Sequence, residues 1–293
     1  MIKIDLNKKI WQWLTLIFLS LIWGTSFILI KRGLETYSDV QIAGLRMFSA
    51  FVAILPFVPR ALKKIKKKHI PFLLFIAVIG NGVTAFLFAL SQKHINSSVA
   101  GMLNAITPIT TFLIGVIFYK TKRPVHKIIG LAIGLIGTAF LLSSSNAISA
   151  NNGYLYMGLL ILASTFYSVN VNMVKFNLKE LDGFTISVIT FSIIGPLGGL
   201  LYFTSDLSSI VNTPEFAMST FYIILLGLLS SVLATVVFNI LIQYSSTIFA
   251  STVTYLIPIV AIFWGVFDGE TVKMYQIISV IIIIGGIYLV NKD

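Results

Sequence analysis

The chain has 293 residues, 57% hydrophobic and 11% charged, with a net charge of +11, no cysteine and a mean hydropathy of +0.96. A water-soluble domain cannot cover that much apolar surface, so the composition points to a polytopic membrane protein. Without cysteine, disulfides and thiolate chemistry are excluded.

Ten apolar stretches follow one another, near 11–30, 40–58, 71–91, 97–118, 128–142, 154–174, 184–203, 219–242, 247–267 and 275–290. They run continuously apolar, as in Ile281-Ile282-Ile283-Ile284. That predicts spanning helices and not the alternating strands of a lipid-facing barrel. Ten spans of about 20 residues leave under ~100 residues for everything else, so no separate soluble domain fits. The first stretch follows Lys8-Lys9 as a signal peptide would, but runs on to Ile30 without a small-residue cleavage site. It is read as a retained span.

Lysine and arginine set the orientation. With a cytoplasmic N-terminus, 16 of them fall in inside segments and 4 outside (Lys31, Arg32, Lys93 and Lys273), with Arg46 inside a span. This bias predicts a multi-pass protein of the cell inner (plasma) membrane with both termini cytoplasmic. The net charge is then topological, set beside anionic lipid, and no nucleic-acid partner is expected. The run Lys63-Lys64-Ile65-Lys66-Lys67-Lys68 is too short and too close to the membrane for a nucleic-acid module.

The second half of the chain repeats the first. A shift of 144 places Trp23 on Tyr167, Ser26 on Asn170, Lys31 on Lys175 and Leu34 on Leu178. A shift of 150 places Asn81 on Ser231, Ala100 on Ala250, Asn104 on Thr254, Pro108 on Pro258 and Gly115 on Gly265. Five spans per copy is an odd number, so the second copy enters the membrane upside down. The expected fold is all-α: ten transmembrane helices as two inverted five-helix repeats, 1–146 and 147–293, joined through the uncharged stretch 143–153. Inverted repeats of this kind form secondary transporters, with the substrate at the repeat interface near mid-bilayer.

The stretch Trp23-Gly24-Thr25-Ser26-Phe27, then Lys31, then Arg46 in the second span, resembles the opening of EamA-type members of the drug/metabolite transporter superfamily. So do the fourth and ninth spans, with Pro108 and Gly115, then Pro258, Gly265 and Gly269-Glu270. The resemblance covers nearly the whole chain. It implies a ten-helix basket that exports or exchanges small metabolites such as amino acids. Lys120 stands where that family has an acidic residue after the fourth span, and Tyr167 where a tryptophan-like residue is usual.

Polar side chains inside spans are costly unless they face the bundle or a wet cavity. Trp23 with Ser26, and their mates Tyr167 with Asn170, share helix faces at a spacing of three. Inverted symmetry would bring both pairs to the central axis. Together with Asn81, Asn104, Ser231 and Thr254 they are the expected substrate-binding residues, an aromatic wall with amide and hydroxyl groups suited to a small, partly apolar zwitterion. The competing reading is interhelical hydrogen bonding by Ser, Thr and Asn. Pro108 and Pro258 each remove a backbone donor and are the expected paired hinges.

Arg46, the one charge deep in a span, is expected either to gate or meet a substrate carboxylate, or to pair with Asp39 two turns away. No catalytic motif, metal-ligand cluster or cofactor signature occurs, so neither enzyme nor cofactor is expected. A hydrophobic drug efflux carrier and an integral-membrane enzyme or lipid-handling protein remain the alternatives. The oligomeric state is open.

Overall fold

A computed structural model describes residues 5–95, 97–122, 124–142, 153–267 and 274–292. The expected repeat boundary at 143–152 and Glu270 lie outside the described residues. The chain is built from α1 (Lys9–Gly33), α2 (Asp39–Leu62), α3 (Lys67–Gln92), α4 (Val99–Tyr119) and α5 (Val125–Leu142). Then come α6 (Gly153–Phe176), α7 (Gly183–Phe203), α8 (Phe216–Tyr244), α9 in two pieces (Thr247–Ser251 and Val253–Phe267), and α10 (Met274–Val290). Among the described residues, α1–α4 and α6–α8 are long and apolar enough to cross a bilayer, and α5, α9 and α10 contain shorter apolar helices. Their outward faces keep large apolar side chains exposed, such as Phe118 at 73% and Ile281 at 64%. A soluble fold would bury these; a bilayer solvates them.

Local chemistry starts equivalent helices in the same way. Ser38 caps α2 by accepting from the Gln41 N–H, and the Gln41 side chain returns the bond to the Ser38 N–H. Its 144-shifted mate Asp182 caps α7 by accepting from the Thr185 N–H.

These two helices then pack on each other through glycine. A Cβ on Gly44 would lie 2.8 Å from the Gly198 carbonyl oxygen. Helices α5 and α10 meet likewise, where a Cβ on Gly130 would lie 2.7 Å from the Gly286 carbonyl oxygen. Gly134 gives up its side chain to the buried ring of Tyr255, whose hydroxyl donates to the Leu131 carbonyl. The Gly130-x-x-x-Gly134 pattern is therefore helix packing.

The two ends of the bundle are held differently. At one end Lys64 pairs with Asp182, and Lys66 and Lys68 both pair with Glu180. At the other, Tyr37 meets Thr220 hydroxyl to hydroxyl, and Lys93 pairs with Asp39 at 3.4 Å.

Candidate functional site

Helices α3 and α8 each contain a widened turn. Ile76–Val83 and Leu226–Leu233 are π-helical, eight residues each and offset by 150. Such turns re-aim side chains and recur at functional sites. In α8 the Ser230 carbonyl accepts the Trp23 indole N–H at 3.1 Å. In α3 the mate of Ser230 is Gly80, where a Cβ would come within 3.1 Å of the Asn170 amide nitrogen. The turns of the two halves thus receive residues from α1 and α6, themselves repeat mates.

Beside these turns lies a cavity with about 780 Å³ of empty space, part of it open to solvent. Trp23, Ser26, Asn81, Asn104, Tyr167, Asn170 and Thr254 all line it, and so does Arg46. Ser231 does not. Its neighbour Ser230 takes that place, while the Ser231 hydroxyl sits behind and accepts from Arg46 Nε at 2.7 Å. The wall also includes Phe88 and Phe238, which the sequence reading passed over although the shift of 150 relates them. Trp23 meets Phe238 edge-on at 4.9 Å between ring centroids, and its mate Tyr167 meets Phe88 at 5.9 Å. The same aromatic pairing is made on both sides of the cavity.

Helix α6 carries both expected uses of its polar residues, on different faces. Ser164 donates to Asn104 Oδ1, Ser168 to the Thr107 carbonyl, and Asn172 to the Thr111 carbonyl. This face fastens α6 to α4. Tyr167 and Asn170 turn to the cavity instead, and the Tyr167 hydroxyl has no hydrogen-bond partner among the described residues. Ser26 and Thr254 spend their hydroxyls on their own helices, donating to the Trp23 and Ser251 carbonyls.

Arg46 does not pair with Asp39, which is taken by Lys93. Its Nε donates to Ser231 Oγ, and its Nη2 reaches Ser230 Oγ at 3.4 Å. Among the described residues no carboxylate lies within ion-pair reach of its guanidinium. Two further polar atoms on the cavity wall, Asn81 Nδ2 and Asn170 Oδ1, are buried without a partner.

The two prolines are not equivalent. Pro258 is inside the second piece of α9, as expected. Pro108 instead sits in the first turn of the helix Thr107–Tyr119, directly after a 3-10 turn at Asn104–Ile106. A missing N–H costs little there, because first-turn donors have no intrahelical partner. The helix passes there from 3-10 to α geometry, with Pro108 in the first α turn.

At the lysine-rich end, Lys175 donates to three carbonyls closing α8: Ile242 at 2.9 Å, Gln243 at 3.0 Å and Ser245 at 2.8 Å. Nearby, hydrogen bonds from Lys68 and Lys66 lower the Glu180 carboxyl to about 2.

The family model described as the EamA-like transporter family matches this chain twice, over residues 10–143 and 154–292. An uncharacterized transporter of Bacillus subtilis, YdfC, is 24% identical over 92% of this chain and 89% of its own length. The uncharacterized inner membrane transporter YedA of Escherichia coli is 24% identical over 93% and 88%. Protein PagO of Salmonella typhimurium is 24% identical over 92% and 89%. A solved crystal structure with 15% identity shares the fold, with a TM-score of 0.73 over 95% of each chain.

Proposed function

The chain belongs to the EamA-like transporter family, and from that premise we propose that it is a secondary carrier of small metabolites, amino acids or related compounds. Membership and the apolar helices make it an integral membrane transporter. The finer reading is alternating access by two inverted repeats, 1–146 and 147–293, with both termini in the cytoplasm. Solute would bind in the central cavity and leave by export or exchange.

One observation carries this reading. The cavity is walled by repeat mates from both halves, with Trp23 on Phe238 and Tyr167 on Phe88. A site made of equivalent parts can be presented to either side by equivalent motions of the two halves. The π turns at 76–83 and 226–233 support the same symmetry.

The test is counterflow. Purified protein in liposomes preloaded with a mixture of unlabelled amino acids should take up the radiolabelled mixture transiently above equilibrium, with saturation. Single-channel current without counterflow would replace the carrier by a channel.

A further inference from the structure

We infer that Arg46 is the anchor for a carboxylate, and that the solute this cavity accepts is a small molecule bearing one carboxylate on an apolar body. The inference rests on reading the cavity as the carrier's binding site. Arg46 is 9% exposed and Asn81 8% exposed, and both line the cavity. A guanidinium stays charged at physiological pH. Enclosing it without a counter-charge is costly, and removing it from water pays back only when an anion joins it. Among the described residues none lies within reach: Asp39 is held by Lys93, and no Asp or Glu of those residues lines the cavity.

The geometry also selects the kind of anion. Nε is committed to Ser231, and Nη2 has only a long contact to Ser230. Nη1 has no partner among the described residues. The open side is therefore the Nη1–Nη2 end, which presents two parallel N–H groups and suits a planar carboxylate bound bidentately. Ser231 holds Nε from behind, and Ser230, on the cavity wall, makes the long contact to Nη2. Asn81 Nδ2 adds a buried, unused donor on the same wall, and Asn170 Oδ1 a buried, unused acceptor. An acceptor there receives an ammonium or hydroxyl hydrogen of the solute. Trp23, Phe88, Tyr167 and Phe238 cover the apolar remainder.

Three near-isosteric probes on purified full-length protein separate the parts: L-leucine, L-leucinamide and 4-methylvalerate, read by thermal shift at fixed ionic strength. Leucine and 4-methylvalerate should raise the melting temperature; leucinamide, which lacks the negative charge, should not. Arg46→Gln should weaken leucine by roughly 10- to 100-fold, the scale of a charge-assisted hydrogen-bonded pair. Asn170→Ala should weaken leucine and leave 4-methylvalerate unchanged, because only leucine carries the ammonium. If Arg46→Gln does not accumulate, Arg46→Lys keeps the charge without the fork and should still bind leucine several-fold more weakly.

Leucinamide binding as well as leucine, unchanged leucine affinity in the Arg46 variants, or no response to either carboxylate overturns the inference. Counterflow of other solutes alongside any of these results leaves the carrier reading standing. Arg46-dependent leucine binding with no counterflow of any solute removes the carrier reading and leaves the anchor.

Discussion

Lys175 Nζ lies 2.8 Å from the Ser245 carbonyl, and with its bonds to Ile242 and Gln243 it ties the end of α6 to the end of α8. All three ammonium hydrogens meet helix-terminal acceptors, where the macrodipole favours a cation. The shifts of 144 and 150 carry this contact to Lys31 and the carbonyls of Gln92, Lys93 and Ile95 at the end of α3. That mate contact is not made. Lys31 is exposed, and the Gln92 side-chain amide is buried without partners. Lys175 thus ties its end of the bundle across α6 and α8, while its mate Lys31 makes no such tie to α3. Under alternating access, the opposite state closes Lys31 onto α3 and frees Lys175. Lys175→Gln should then lower thiol labelling of a Ser26→Cys reporter from the Lys31 side, and Lys31→Gln should raise it. Shifts in the same direction, or none, would refute the exchange.

The two aromatic mates predict different losses. Tyr167 packs on Phe88 but its hydroxyl has no hydrogen-bond partner among the described residues, so Tyr167→Ala should weaken solute binding by about 1–3 kcal/mol and lower the melting temperature less than Trp23→Ala. Trp23 also donates to the Ser230 carbonyl and packs on Phe238. Trp23→Ala should therefore cost stability as well, by about 1–3 kcal/mol for the buried carbonyl left unmet. Thermal melts and binding isotherms on both variants decide this. Equal destabilisation with no change in affinity would make both residues packing elements.

Most of the cavity wall was legible because a sequence that repeats prints a site twice. Trp23 with Tyr167, Ser26 with Asn170 and Asn104 with Thr254 all come together at the cavity. Phe88 and Phe238 carry no polar atom, so polar spacing does not mark them, although the same shift of 150 relates them. Ser231 was misplaced by one residue for a physical reason. The shift of 150 takes it from Asn81, but its hydroxyl accepts from Arg46 Nε at 2.7 Å, which leaves Ser230 on the cavity wall. Nothing in Leu226–Leu233 or Ile76–Val83 signals the wider turn, since it is a backbone hydrogen-bond pattern. The 3-10 turn ahead of Pro108 was hidden in the same way, and it places Pro108 in a first helical turn.

Orientation is tested without any structural assumption. The lysine bias puts the Lys63–Lys68 loop in the cytoplasm and the 143–153 linker outside. In this cysteine-free chain, Asn151→Cys should react with an impermeant maleimide on intact cells, and Lys66→Cys should not. The reverse labelling would invert the topology and both access states with it.

Energy coupling is the last expectation, and it follows from where the carboxylates are. Proton-driven carriers commonly alternate protonation of an intramembrane Asp or Glu with solute binding. Among the described residues no carboxylate lines the cavity, and Asp39, at a helix end near Arg46, is engaged by Lys93. Glu180 is tied to Lys66 and Lys68 with its carboxyl lowered to about 2. A depressed carboxyl keeps its ion pairs at all pH values above its unfolded range and loses them only as pH falls through about 2. The lysine-rich end therefore stays fastened, as far as Glu180 is concerned, across any pH a cell imposes. Flux is expected to be facilitated diffusion or exchange, driven by the solute's own gradient. In proteoliposomes with the membrane potential clamped, an imposed pH gradient should leave solute accumulation unchanged. Uphill accumulation that collapses with a protonophore, and again with Glu270→Gln or Asp39→Asn, would establish proton coupling and overturn the expectation.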